Sequence, residues 1–169
     1  MAGNKYIKNN AGTLTEEAAI QTSAGAGDAG KIPALDAAGR IDTSMMPTGV
    51  GADTSSIVSS ENLAAGDLVN IWNNTGTANV RKADATIAGK EAHGFVLSAV
   101  TAPAAATVYF EGSNTGVTGL TPGPQFLATT AGLCTATAPS SAGNVVQRVG
   151  FASSATSVNF QSQTPVVLA

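Results

Sequence analysis

Apolar residues follow neither a helical nor a strand period along the first fifty residues of the chain. The large ones stand singly among Gly, Pro and Asp, and they include Ile32, Leu35, Ile41, Met45 and Met46. A segment of this kind cannot bury enough surface to offset the entropy that it loses on ordering. Residues 1–50 are therefore predicted to form an extended N-terminal arm, with at most short helical turns, that becomes ordered against another surface.

Two stretches of the arm carry helix signals. Thr13 and Glu16 have the spacing of a capping box. A helix over 13–20 has at most two turns, which is too short to be stable alone, so an extended strand over the same residues is an equal alternative. Asp42 stands where it can cap a single helical turn that ends before Pro47. The rest of 25–50 is predicted to be extended or turning chain.

From Ile57 the pattern changes to short apolar-alternating strands, which turn signals separate at a spacing of about ten residues. This pattern is typical of a small antiparallel β-barrel or sandwich, so residues 51–169 are predicted to be one β domain and the fold class mainly β. The strands are predicted at 68–72, 77–83, 92–100, 107–111, 125–128, 133–138, 144–152 and 157–160, with a tail at 165–168 that pairs at a sheet edge.

Three of these strands carry more specific predictions. The Asn-Asn-Thr-Gly stretch at 73–76 supplies residues that tolerate positive φ, so the strands on either side of it are predicted to form a hairpin. In 144–152, strict alternation places Phe151 on the same face as Val145 and Val149, with Val146 and Arg148 on the opposite face.

Composition limits the size of the core and the kinds of partner. Of the 169 residues only 11% are charged and 5% aromatic, and much of the 43% hydrophobic fraction is Ala. Such a chain gains little from a single thick core, so oligomerisation or docking is expected. The net charge is −3 and no basic stripe is present, which excludes nucleic acid as a partner.

The remaining patterns concern the membrane and the site of synthesis. No apolar run approaches the roughly 18 residues of a membrane span, so no membrane partner is expected. The first residues lack the apolar region of a signal peptide. The single cysteine, Cys134, permits no internal disulfide. These features together predict synthesis in a reducing cytoplasm.

Candidate catalytic groups are sparse. His93 is the only histidine, with Glu91 two residues before it on the same side of a predicted strand. A catalytic site needs a nucleophile and an acid–base set, and one histidine cannot make a zinc site without further ligands. Cys134 lies in an apolar strand without a neighbouring cation that would lower the pKa of its thiol, which predicts a buried, inert cysteine. The chain is not expected to be an enzyme.

Other motifs are equally weak as sites, so neither a metal nor a cofactor is expected. The carboxylates in the first part of the chain do not have the spacing of a calcium loop, and each is predicted to cap a turn: Asp28, Asp36, Asp42 and Asp53. The Gly-x-Gly-x-x-Gly stretch at 25–30 lacks the strand before it and the helix after it that a nucleotide site requires. The glycosylation acceptor at Asn73 lacks a secretory context.

Two aromatic residues of the β domain are candidates for contact with a partner. Trp72 and Tyr109 are predicted to lie in the core or between subunits, because the core has few other large residues. The alternative is that either ring forms a platform for a carbohydrate.

Several stretches of the chain are similar to phage virion proteins. The chain resembles a linker of head-fibre, cement and tail-fibre proteins over residues 30–42 (Gly-Lys-Ile-Pro-Ala-Leu-Asp-Ala-Ala-Gly-Arg-Ile-Asp), followed by Met-Met-Pro at 45–47. The small β module that ends many such proteins resembles 119–127 and 144–152, and the turn-strand units of capsid-decoration domains resemble 65–69 and 92–96. The chain therefore resembles the decoration (cement) and head-fibre proteins of tailed phages.

This resemblance implies a function without catalysis. The expected protein is a homotrimer on the capsid surface of the virion, seated where capsomers meet and bound to the major capsid protein. Its arm would insert Ile32, Leu35, Ile41, Met45 and Met46 into grooves between capsid subunits. The alternative location is an appendage, a head fibre or a tail-fibre or baseplate component, that contacts the host surface.

Overall fold

The computed structural model describes residues 4–46 and 51–169. The chain divides into two compact units, Met1–Gly51 and Ala52–Ala169, called here the front unit and the rear unit. The described residues hold fourteen strands and two short 3₁₀ helices. The predicted mainly β fold is confirmed, and of the two predicted architectures for the β domain the barrel is the one present.

The front unit opens with a hairpin of two antiparallel strands, β1 (Lys5–Asn10) and β2 (Thr13–Ala18). Ala11 and Gly12 both have positive φ, of 49° and 92°, as a two-residue hairpin turn requires. The Asn9 side chain fixes this turn, since its Oδ1 accepts a hydrogen bond from the Gly12 N–H at 2.8 Å. The strand alternative for 13–18 is therefore correct, and the capping-box helix is not formed.

Residues 19–46 fold back through hydrogen-bonded turns, so the front unit is not one continuous extended segment. Ile20 bridges to the 32–34 stretch: its N–H donates to the carbonyl of Ile32 at 3.0 Å, and its carbonyl accepts from Ala34 at 2.7 Å. Two 3₁₀ turns lie at Ala26–Asp28 and Thr43–Met45. The second is the predicted single turn, capped by Asp42; the proline predicted to end it lies outside the described residues.

The rear unit begins with a closed barrel of five strands. They are β3 (Thr54–Ser59), β4 (Leu68–Asn74), β5 (Thr77–Lys82), β6 (Gly94–Phe95) and β7 (Ala105–Tyr109). Around the barrel the order is β3-β5-β4-β6-β7, and every pair is antiparallel except β3 with β5. The predicted β4–β5 hairpin is confirmed, with Thr75 and Gly76 at φ of 50° and 91° in its turn.

The remaining strands build a second sheet and a short ribbon. They are β8 (Gly112–Asn114), β9 (Gly123–Leu127), β10 (Cys134–Thr135), β11 (Val145–Val146), β12 (Arg148–Ser154), β13 (Ser157–Phe160) and β14 (Val166–Val167). The second sheet has the order β10-β9-β12-β13-β8, and β11 pairs with β14. Strands predicted at 92–100 and 133–138 are only two residues long, and the strand predicted at 144–152 is split into β11 and β12.

A bulge in β12 corrects the predicted face of Phe151. The pairing of β12 with β9 shifts register between Arg148 and Gly150, and Gly150 has a φ of 139°. The additional residue reverses the alternation, since two residues of the bulged strand oppose one on its partner. Val149 and Gly150 are consequently both buried, and Phe151 points outward with 43% of its surface exposed.

Two apolar clusters form the core of the rear unit. One fills the barrel and contains Leu63, Val69, Val80, Val96, Ala106 and Val108. The other joins barrel residues to the second sheet and contains Leu68, Ala83, Ala85, Ala92, Phe95, Leu127, Val149 and Phe160. Barrel and second sheet therefore share one continuous interior, which makes 52–169 a single folding unit.

A buried glutamine reinforces this junction. Gln147, 2% exposed, accepts a hydrogen bond from the Ala92 N–H at 2.7 Å and donates to the Ala92 carbonyl at 2.9 Å. The same amide group donates to Ser162 Oγ at 2.9 Å. Because buried polar groups need partners, this side chain ties the chain before β6 to the chain around β12.

Candidate functional site

The candidate contact residues of the arm lie at the surface of the front unit. Ile32, Leu35, Ile41 and Met46 have 49%, 54%, 51% and 41% of their surfaces exposed, while Met45 is half-buried. No residue between 4 and 46 is buried. The four exposed residues, Ile32, Leu35, Ile41 and Met46, are called here the apolar set. Each of these apolar side chains would gain free energy if another surface covered it.

Hydrogen bonds from neighbouring polar side chains fix the backbone next to three members of the apolar set. The Gln21 amide donates to the carbonyl of Leu35 at 2.7 Å. Asp36 Oδ1 accepts from the N–H groups of Ala38 and Arg40, at 2.8 and 2.9 Å, and so holds the turn that leads to Ile41. Ser44 Oγ accepts from the Ser23 N–H at 2.8 Å and ties the turn that precedes Met46 to the middle of the unit.

The aspartates of the front unit cap turns, as predicted for Asp28, Asp36 and Asp42. Asp28 accepts from the Ala24 N–H at 2.7 Å and pairs with Lys31 Nζ at 2.9 Å. The hydrogen bond from Ala24 and the Lys31 ammonium hold the pKa of Asp28 below its usual range, and the Asp28 carboxylate raises the pKa of Lys31. Hydrogen bonds from Ser44 lower the pKa of Asp42 in the same way. Asp53, the fourth predicted cap, lies in the rear unit, where its backbone carbonyl accepts a hydrogen bond from the Phe110 N–H.

Two further exposed apolar residues lie on the hairpin and were not among the predicted contact residues. Ile7 and Leu14 are 65% and 72% exposed. Ile7 pairs with Glu16, and Leu14 with Asn9, so both apolar side chains share one face of the hairpin. The signal for them is the Ala-Gly pair at 11–12, which converts 5–18 from an ambiguous segment into two strands.

Trp72 and Tyr109 occupy different environments in the barrel. The Trp72 ring is half-buried, with the Arg81 guanidinium 4.8 Å from its centroid and its Nε1 donating to Ser60 Oγ at 3.2 Å. Tyr109 stacks on Phe95 with ring centroids 5.4 Å apart and packs against the cluster that joins barrel and second sheet. Both rings therefore have partners within the rear unit, and their contact with another subunit or a carbohydrate stays a prediction.

His93 and Glu91 have separate hydrogen-bond partners. His93 is exposed, and its Nδ1 accepts from the Ile71 N–H at 3.0 Å. The Glu91 carboxylate instead accepts from the Gly89 N–H at 2.9 Å. The imidazole is thus held by the backbone of a neighbouring strand rather than oriented by the carboxylate.

Cys134 borders a hollow of about 270 Å³. The thiol is half-buried, and burial raises its pKa, which disfavours the reactive thiolate. Asp67 lines the same hollow, but its Oδ2 already accepts from the Ala64 N–H at 2.7 Å and lies 3.3 Å from Lys82 Nζ. The acid therefore serves the turn that leads into β4.

The described residues contain neither a grouped set of metal ligands nor a membrane-spanning helix. Within 4–46 and 51–169, no three side chains of His, Cys, Asp or Glu are grouped so that they could hold a metal ion. In that part of the chain no helix has the length and hydropathy needed to cross a membrane. Compared with protein-family models, with curated proteins and with solved structures, the chain has no match.

Proposed function

We propose that this chain is a capsid decoration protein of a tailed phage. The front unit docks on neighbouring capsid subunits, and the rear unit, assembled as a homotrimer, covers the junction between capsomers. The observation that carries the proposal is the exposure of the apolar set on a unit that buries no residue between 4 and 46. The likeness of 30–42 and 45–47 to the linker of phage head and tail proteins supports the same conclusion.

The energetics of the front unit support a docking role. Covering the apolar set removes apolar area from water, at about 25 cal/mol for each Å². Because the turns beside these side chains are already fixed by Gln21, Asp36 and Asp42, less ordering entropy opposes binding than for a disordered arm. Many copies, each held by several subunits, would add avidity to a modest single contact.

The outer edges of the two hairpin strands offer a second kind of contact. Among the residues that the structure describes, β1 and β2 form a two-stranded sheet, in which each strand has one edge without a paired strand. Backbone N–H and C=O groups on such an edge can pair with a strand of another protein. Strand addition there would align Ile7 and Leu14 with the apolar surface that receives them.

The alternative is an appendage that binds the host surface through Trp72 or Tyr109. The contacts of these rings favour the decoration role, since Arg81 lies over Trp72 and Phe95 stacks on Tyr109. A sugar needs an open ring face for stacking. Labelled virions separate the two proposals, because a decoration protein gives signal over the shell and an appendage gives it at discrete projections.

The binding test replaces three members of the apolar set together, as Ile32→Ser, Leu35→Ser and Ile41→Ser. We expect the variant to lose co-sedimentation with expanded capsids that lack their own copies of this protein, with affinity lower by at least a hundredfold. The matched control is Val58→Ser with Ile87→Ser, which changes side chains of the rear unit that are 43% and 56% exposed. Equal binding by both variants and the parent would overturn the proposal.

A further inference from the structure

One face of the second sheet is open to solvent. Its exposed residues include a row that crosses four strands, made by Pro124 on β9, Phe151 on β12, Asn159 on β13 and Ser113 on β8. The opposite face lies on the core through Leu127, Val149 and Phe160. A ring that is 43% exposed between small and polar neighbours is a natural centre for a contact.

Unpaired charges of opposite sign flank this row. Arg148 lies on β12 opposite Phe126, and the hydrogen bond of its guanidinium, to the Gly150 carbonyl, is long at 3.4 Å. Extending the β13–β8 register by one residue places Glu111 beside Gln161 on the same face. The ion pairs of the described residues include neither Arg148 nor Glu111.

We infer that this face binds the same face of a second copy of the chain. A two-fold axis along β13 exchanges β12 with β8, because β13 lies between them. That symmetry sets Arg148 of one copy near Glu111 of the other, and Phe151 over Ser113. It is an isologous contact, in which the positive side of each face meets the negative side of its partner.

Shape agrees with charge at this contact. The residue of the row that would receive Phe151 is Ser113, which has the smallest side chain of the four. The next residue of β8, Gly112, has no side chain that could obstruct the ring. Strand spacing gives the whole face an area of roughly 400 Å². This is about half of what each partner contributes to a stable interface of standard size, roughly 800 Å². The contact is consequently weak for isolated copies and is used where copies are crowded.

Cross-linking through the symmetry axis tests the inference on the full chain. In a Cys134→Ser background, Asn159→Cys places one thiol on the proposed axis, opposite its own copy. Packed sheets lie about 10 Å apart, which a short bis-maleimide can span. We expect covalent dimers on a denaturing gel. Thr86→Cys, on an exposed barrel loop, is the matched control and gives few or none.

Charge reversal then tests the pairing. Arg148→Glu or Glu111→Arg alone, added to the Asn159→Cys variant, is expected to lower the yield of covalent dimer about tenfold. The two reversals together should restore it, because the opposite charges again face each other. Equal yields from Asn159→Cys and Thr86→Cys, or a double reversal without recovery, would overturn the inference. The readout needs no capsid, so it is independent of the proposed function.

Discussion

The two units of this chain are held in shape by different kinds of interaction. The rear unit buries eighteen apolar residues in its core, and the front unit between 4 and 46 buries none. In place of a core, the front unit has three of the five ion pairs found among the described residues, and a series of side-chain-capped turns. The three pairs are Lys5–Glu16, Lys8–Glu17 and Lys31–Asp28. The front unit therefore owes its shape to short-range polar contacts, and the rear unit owes it to packing between distant strands.

Because of this difference, folding stability and partner binding are expected to depend on different units. Exposed ion pairs and turns each contribute little to folding, typically under about 1 kcal/mol, so the front unit can expose its apolar side chains without a core to disturb. Buried cores tolerate few changes. Substitutions that affect docking are consequently expected in the front unit, and those that affect folding in the rear unit.

The largest effect is expected where the rear unit depends on a close backbone approach. Gly150 has a φ of 139°, and a Cβ added there would lie 2.0 Å from the Asn159 carbonyl oxygen. Both strain and overlap oppose a side chain, so Gly150→Ala should lower the free energy of unfolding by about 4 kcal/mol, measured by denaturant titration with Trp72 fluorescence.

The control for this change is Gly143→Ala in the same unit. Gly143 also has a positive φ, of 81°, but apart from its two chain neighbours no described residue has an atom within 4 Å of the added Cβ. Its cost should be about 1 kcal/mol, from backbone strain alone. Similar losses in the two variants would contradict the close approach of β12 and β13 at the bulge.

That bulge also shows what the sequence could and could not predict. The hairpin of β4 and β5 was predictable because the residues of Asn-Asn-Thr-Gly favour the positive φ values of a tight turn. The bounds of β13, 157–160, were also predicted. The face of Phe151 was not predictable, because nothing in the order of apolar and polar residues marks the position of the bulge. Only the pairing of β12 with β9 reveals it.

The candidate site shows the same limit. The apolar set was recognisable because single large apolar residues among Gly, Pro and Asp have no local partner to cover them. Ile7 and Leu14 were missed because β1 and β2 are ambiguous until the Ala-Gly turn pairs them. The predicted lengths of β6 and β10 are too long, because the length of each strand depends on the pairing that its neighbours offer and not only on its own residues.

A second experiment compares leucines of the two units directly. Leu127 is fully buried and Leu35 is 54% exposed. Leu127→Ala should cost about 3 kcal/mol of unfolding free energy because it leaves a cavity in the shared core. Leu35→Ala should cost under about 0.5 kcal/mol. Denaturant titration measures the first, and native-state exchange of the Ile20 amide, which is bonded to Ile32, measures the second.

One outcome of the leucine comparison would contradict the contrast between the units. A loss of 2 kcal/mol or more for Leu35→Ala, on the scale typical of core truncations, would mean that the front unit has its own core, and the contrast between the units would fail. The docking proposal predicts the reverse ranking for capsid binding, in which Leu35→Ala is the more harmful change.

The smallest effect concerns the acids that cap the front unit. The pKa values of Asp28 and Asp42 are lowered, so both carboxylates stabilise the folded unit above the ordinary carboxyl pKa of 3.8. That contribution is lost as the pH falls through the lowered folded values. Amide chemical shifts of Ala24 and Ser44, whose N–H groups donate to these carboxylates, should therefore titrate below pH 3.8.

Ser44→Ala sharpens this test within one unit. The Ser44 hydroxyl is the largest cause of the lowered pKa of Asp42, whereas Asp28 depends on Ala24 and Lys31. The variant should move the Asp42 transition toward its ordinary pKa. It also removes the hydrogen bond from the Ser23 N–H to Ser44 Oγ. We expect the Asp28 transition to stay in place nonetheless, because the partners that lower the pKa of Asp28, Ala24 and Lys31, are retained. If both transitions moved together, the turns would be coupled through a common structure. The front unit would then be a cooperative fold, like the rear unit, and not a series of independently capped turns.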